Sequence, residues 1–289
     1  MQEIYGYILK LKKIGLSESS IETYKIQLKH FEEWFKEKEL PNLNLSEKDV
    51  LDFVSYLKSK ELSPNTIRQI LNRVKDFVEH AGGQWNASKR IYRERSKVES
   101  AKPYSEMELK KIFNWLRENN KIYYYLTLTL YGFGLRVSEA LNLLPSDIIE
   151  KESQIFVRVR PENAKFSKSR EAPLILKDKY RDDLIDFILS RQNPALKDKT
   201  LFTYYNDVQN RIVVLNRMAV KVYFHKLSKI LDINITAHRF RDSYVSYLIA
   251  KGLKPSTVAK WLGHTDINTT LRYYTKLTEK DELEELKKL

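Results

Sequence analysis

The sequence contains no cysteine, which excludes a disulfide framework, a thiolate metal site and a cysteine nucleophile. It has only eight glycines, none paired at the spacing of a phosphate-cradling Walker loop; there is no His-Glu-x-x-His, and the five histidines form no zinc set. ATP-driven and metal-dependent chemistry recede, and no cofactor is implied. Nowhere do about 18 apolar residues run together, so neither a spanning helix nor a membrane partner is expected. The opening MQEIYGYILKLKKIG lacks the basic start, apolar middle and cleavage site of a secretion signal, and the expected location is cytoplasmic.

What is abundant is positive charge. The 289 residues carry 51 Lys and Arg against 38 Asp and Glu, a net charge of +13. An excess of that size predicts a polyanionic partner, nucleic acid first. It is spread along the chain, +4 through residue 102 and +9 after it, as two modules gripping one polyanion require. The richness in Lys, Ile, Tyr and Glu without Cys is also what proteins of hot environments show.

Residues 1–93 read as a helical domain. Ile21, Tyr24, Leu28, Phe31, Trp34 and Phe35 recur at helical spacing after Ser17–Ser20. Ser46 caps a second helix containing Val50, Phe53, Val54 and Leu57, and Ser63-Pro64 starts a third that Gly82-Gly83 stops. Residues 94–104, poor in large apolar side chains and containing a proline, read as an exposed linker. Residues 105–289 then form a second, mainly helical domain with one interruption: Ile155, Val157 and Val159 alternate along a strand, and residues 170–176 supply the returning strand of a hairpin. The fold expected is mainly α with a small antiparallel hairpin.

Four patches of the second domain concentrate basic, histidine and tyrosine side chains. In Gly134-Leu135-Arg136-Val137-Ser138-Glu139, a cation stands at a helix start, where the macrodipole disfavours it unless an anion or Glu139 partners it. In the hairpin turn, Arg158, Arg160, Lys165, Lys168 and Arg170 face the single acid Glu162, an imbalance suited to phosphate contact or simply to a solvated loop. Thr236 caps a helix on which His238 and Arg241 share a face at its N-terminal end. Gly263 ends a helix before His264, and Tyr273 follows nine residues later with Tyr274 beside it.

The segments GLRVSEAL, AKFSKSREAPL, HRFRDSY, LGH and TTLRYY occur in the order and approximate spacing of the tyrosine recombinase and integrase family, and the chain resembles that family from about Pro103 to Lys276. The resemblance is to Xer-like and mobile-element integrases, with an archaeal or thermophilic origin expected. It implies a two-domain C-shaped DNA clamp, with a SAM-like core-binding domain at 1–93 and a catalytic domain at 105–289. It further implies Arg136, Lys165, His238, Arg241, His264 and Tyr273 as catalytic residues, with Glu139 supporting and Arg158, Arg160, Lys168 and Arg170 on DNA. Lys168 stays an alternative to Lys165, and Tyr274 to Tyr273. The implied reaction is site-specific strand exchange through a 3′-phosphotyrosine, without metal. A type IB topoisomerase-like relaxation and a noncatalytic DNA-binding protein are the alternatives.

The partner implied is double-stranded DNA bearing a specific site, bound by a homo-oligomer that is a dimer on one site and a tetramer in synapsis. The amphipathic segment TEKDELEELKKL, 278–289, is the helix expected to dock on a neighbouring protomer.

Overall fold

The computed structural model describes residues 2–88, 91–92, 94, 103–163, 169–192, 196, 198–206, 210–263 and 270–271. The chain divides into two units, residues 1–99 and 100–289.

The first unit contains α1 (Gln2–Lys13), α2 (Glu18–Glu37), α3 (Glu47–Ser59) and α4 (Pro64–His80), with a two-residue parallel pairing of β1 (Leu45–Ser46) and β2 (Trp85–Asn86). Three of these helices begin where a serine hydroxyl can accept from an orphan backbone N–H: Ser17, Ser46 and Ser63 each do so. The apolar stripes of α2, α3 and α4 meet in one core, in which Ile21, Leu28, Phe31, Trp34, Phe53, Leu57, Ile67, Val74 and Phe77 are buried. Helix α1 lies outside the sequence expectation of three helices. Its Tyr7, Ile8 and Leu11 are buried in the same core, so packing stabilises a segment that carries a glycine.

The second unit begins with α5 (Glu106–Asn119), capped by Ser105 in a capping box with Glu108, and the largely buried α6 (Lys121–Phe133). The short α7 (Val137–Leu141) follows, then a three-stranded sheet of β3 (Ile148–Lys151), β4 (Gln154–Val159) and β5 (Arg170–Pro173). α8 (Asp178–Ser190), a hairpin of β6 (Thr203–Asn206) and β7 (Arg211–Val214), α9 (Arg217–Leu231), α10 (Ala237–Ala250) and α11 (Pro255–Leu262) complete the described elements. Strands β3, β6 and β7 are additions to the single hairpin expected from sequence. The four residues of β3 pair antiparallel with β4, Ile148 opposite Val157 and Lys151 opposite Gln154, a partnership periodicity over so short a run does not reveal. Among the described residues no helix is long and apolar enough to cross a membrane.

Candidate active site

Helix α6 ends on Gly134, in the left-handed region at φ +63°, and a Cβ there would collide with the Tyr244 ring. Only glycine meets both demands, and the turn it makes delivers Arg136 to the N-cap of α7. Glu139, one turn on, is buried at 1% exposure. Its Oε2 accepts from the Arg136 backbone N–H and its Oε1 from Arg136 Nη1, both at 2.8 Å. The carboxylate thus caps the helix and orients the guanidinium at the same time.

The same carboxylate is gripped from the sheet. Arg170, the first residue of β5, donates from Nη1 to Oε1 at 3.0 Å and from Nη2 to Oε2 at 2.6 Å, a bidentate fork. From α10, Arg241 Nη1 stands 3.9 Å from Oε2. Three guanidiniums therefore surround one buried acid. Burial by itself would raise the Glu139 pKa, but the Arg170 hydrogen bonds and charge, the Arg136 backbone N–H and the Arg241 charge outweigh it and hold the carboxyl below its ordinary value.

Arg170 and Arg241 also terminate helices. Arg241 is 3% exposed; it donates from Nη1 to the Gly134 carbonyl at 2.6 Å and from Nη2 to the Leu262 carbonyl at 2.7 Å. Arg170 Nε donates to the Trp261 carbonyl at 2.9 Å. These carbonyls have no partner within a helix, and cations at a helix C-terminus also match its dipole. The end of α11 is pinned by both arginines just before Gly263, whose left-handed φ of +64° turns the chain towards residue 264.

His238 lies in the first turn of α10, its side chain 77% exposed and its Nε2 3.4 Å from Asp242 Oδ1. The helix start is braced from the beginning of the unit. Thr236 Oγ1 accepts from the Arg239 backbone N–H, the Tyr104 hydroxyl accepts from the Thr236 N–H at 3.0 Å, and the Tyr104 backbone N–H donates to Ser243 Oγ at 2.7 Å. Arg239 lies 4.0 Å over the Tyr104 ring and pairs with Glu108.

Of the residues singled out by sequence, Arg136, Glu139 and Arg241 come together in the ring, and His238 stands one turn before Arg241 on α10. Arg158 is half exposed and beside Glu171, while Arg160 contacts Asp147, Glu162 and the Asn142 carbonyl. Lys165, Lys168, His264, Tyr273, Tyr274 and the segment 278–289 lie outside the described residues.

Arg170 departs from expectation. A DNA contact was expected, but its side chain is 7% exposed and committed to Glu139 and Trp261. The alternation held the clue: Arg170 pairs with Val159, which is buried, so it belongs to the inward face of the strand, whereas Arg158 and Glu171 pair on the outward one. Tyr104 and Asp242 were likewise missed: Tyr104 belongs to none of the motifs singled out, and Asp242, though inside HRFRDSY, was not singled out beside His238 and Arg241.

Residues 104–281 match the Phage integrase family, and residues 7–86 match the Phage integrase, N-terminal SAM-like domain. A probable integrase/recombinase of Aquifex aeolicus is 30% identical, the alignment covering 96% of each chain. The tyrosine recombinase XerA of Pyrococcus horikoshii is 28% identical over 95% of this chain and 88% of its own. Among solved structures, a lambda integrase dimer bound to a COC′ core site superposes with a TM-score of 0.69 at 16% identity, covering 94% of both chains. The XerH site-specific recombinase in a pre-cleavage complex with its difH substrate superposes at 0.63 and 18%, over 88% of this chain and 76% of that one.

Proposed function

The chain belongs to the phage integrase family of tyrosine recombinases, enzymes that break and rejoin DNA in site-specific recombination, and from that premise we propose how its own residues run the chemistry. The observation that carries the reading is the ring in which Arg136, Arg170 and Arg241 surround the buried Glu139.

A phosphodiester resists attack because its oxygens are negative and its leaving sugar oxygen is poor. Arg136, with 30% of its side chain accessible and its guanidinium oriented by Glu139, meets a nonbridging oxygen. Arg241, backing the same site, and His264 complete the stabilisation of the extra transition-state charge. Preorganised donors of this kind are each worth about 2.7–4 kcal/mol of barrier, or 10² to 10³ in rate. Guanidiniums stay charged at any physiological pH, and their planar forks match two oxygens at once.

Tyr273 attacks the phosphorus, its O–P bond forming as the bond to the 5′ oxygen breaks. A 3′-phosphotyrosine and a free 5′ hydroxyl result. Lys165 gives the departing oxygen its proton, and His238, exposed at the start of α10, accepts or relays the proton of the phenol. Attack by a 5′ hydroxyl on the stored phosphotyrosine reverses the bond changes and rejoins the strand, so joining needs no external energy source.

Residues 1–93 act as the core-binding module and 105–289 as the catalytic one, joined by 94–104. Dimers on one site and a tetramer in synapsis form through 278–289. The cytoplasm, where DNA lies in a prokaryotic cell, is where it acts. Incubating the protein with a nicked duplex carrying its site tests the reading: a covalent protein–DNA adduct is expected, and recombination between two sites without processive relaxation of supercoils. Absence of any adduct would reject it.

A further inference from the structure

We propose that Arg170 is a positioning residue for strand cleavage, holding the Arg136 helix, the end of the lysine-bearing hairpin and the exit of α11 in one fixed geometry. The inference rests on the recombinase reading above and adds to it a residue that sequence had placed on DNA.

The hydrogen bonds at Glu139 divide evenly. Oε1 accepts from Arg136 Nη1 at 2.8 Å and Arg170 Nη1 at 3.0 Å, and Oε2 from the Arg136 backbone N–H at 2.8 Å and Arg170 Nη2 at 2.6 Å. A carboxylate has about four lone-pair sites, so Arg136 and Arg170 together occupy it fully. The plane of Glu139 is thereby set by the Arg170 fork, and the guanidinium of Arg136 is set by Glu139.

The third donor of Arg170 reaches elsewhere. Its Nε holds the Trp261 carbonyl at 2.9 Å, and its stem lies against Gly263, where a Cβ would stand only 2.9 Å from Arg170 Cδ. Arg170 also begins β5, two residues after Lys168 in the chain. One side chain therefore ties together the neighbours of three proposed catalytic groups: Arg136, the hairpin lysine and His264.

A buried ion pair is weak evidence of stabilisation, because apolar replacements often serve stability as well. Shared geometry is another matter, since a misplacement of about 1 Å at a reacting centre can cost about 10²-fold in rate. Lysine cannot replace this arrangement: a compact ammonium lacks the planar fork that engages both carboxylate oxygens while a third donor reaches a carbonyl.

The test uses the full chain and a nicked duplex carrying the site recovered by selecting genomic fragments on the wild-type protein. Adduct formation is followed in single turnovers at saturating protein, so that rate constant and amplitude are separated. For Arg170→Lys the rate constant is expected to fall about 10- to 100-fold with full amplitude, in line with misplacement of the reacting groups. Affinity for the duplex should stay within about twofold, because phosphate contacts elsewhere carry it.

An unchanged rate constant with amplitude lost in step with the melting temperature would make Arg170 merely structural and overturn the proposal. A fall in affinity at unchanged rate constant would overturn it in favour of a DNA contact. Should Arg170→Lys not fold, Arg170→Gln, whose amide keeps a donor beside Glu139, takes its place. A lowered rate constant at full amplitude in that variant supports positioning, and an unchanged rate constant overturns it. If the wild type itself forms no adduct, the recombinase reading fails first, a result distinct from a wild-type adduct whose rate Arg170→Lys leaves unaltered.

Discussion

Arg241 Nη2 donates to the carbonyl of Leu262 at 2.7 Å, so the helix bearing the second arginine holds the end of the helix that leads to His264. The transition-state role proposed for Arg241 and a structural one fall on the same side chain. In Arg136 they are separable, since it is accessible and, among the described residues, its guanidinium contacts only Glu139.

That difference predicts two distinct phenotypes. Arg136→Ala should lower the cleavage rate constant by about 10² to 10³, with little change in melting temperature. Arg241→Ala should lower it as strongly and also destabilise the unit, since the Gly134 and Leu262 carbonyls lose their donors at about 1–3 kcal/mol for each buried group left unsatisfied. Chemical denaturation beside single-turnover cleavage separates the two, and equal stability of both variants would refute the buried role of Arg241.

Glu139 predicts an acid limb in stability. Its folded pKa lies below the ordinary 4.5 despite burial, because Arg170, the Arg136 N–H and Arg241 favour the anion. A depressed folded value means that its contribution is fully present above pH 4.5 and is lost as pH falls through the folded pKa. Glu139→Gln should therefore be less stable than wild type at pH 7, and the gap should narrow as pH is lowered towards 3. Denaturant midpoints across that range provide the measurement, and a constant gap would contradict the depressed pKa.

Gly134 and Gly252 provide a controlled pair. Both have positive φ, +63° and +80°, but a Cβ meets the Tyr244 ring at the first and nothing within 4 Å at the second. Gly252→Ala should cost about 1–2 kcal/mol, the left-handed strain alone. Gly134→Ala should cost clearly more and reduce cleavage, because the turn before Arg136 has to move.

The nine-residue spacing from His264 is the ground for proposing Tyr273 rather than Tyr274 as the nucleophile. On a helix, adjacent residues point about 100° apart, so only one of two neighbouring tyrosines could serve as the proposed nucleophile. Tyr273→Phe should abolish the covalent adduct, whereas Tyr274→Phe should retain it. The first variant should still bind DNA, with affinity falling about 10³ to 10⁵ between 50 and 200 mM salt if six to ten phosphates are contacted. An adduct that survives in Tyr273→Phe and vanishes in Tyr274→Phe would reverse the assignment.

Several helices and their starts, though not α1, were legible in the amino-acid sequence because both are local properties. A stripe such as Ile67, Ile70, Leu71, Val74 and Phe77 has one way to face a core, and Ser46, Ser63, Ser105 and Thr236 cap where a hydroxyl can reach the N–H three residues on. The partnership of Arg136 with Glu139 was legible for the same reason, being one helical turn long.

Only the tertiary structure decided that Glu139 has a second arginine. Arg170 is 31 residues from Glu139 in the chain, and its inward direction follows from the pairing of β4 with β5, which places it opposite the buried Val159. Likewise β3, β6 and β7 are too short to announce themselves and exist through their pairings. A charge in a basic loop and a charge in a buried fork look alike along the sequence. What separates them is desolvation, which acts only when distant segments close around the group and then requires every donor and acceptor to be matched.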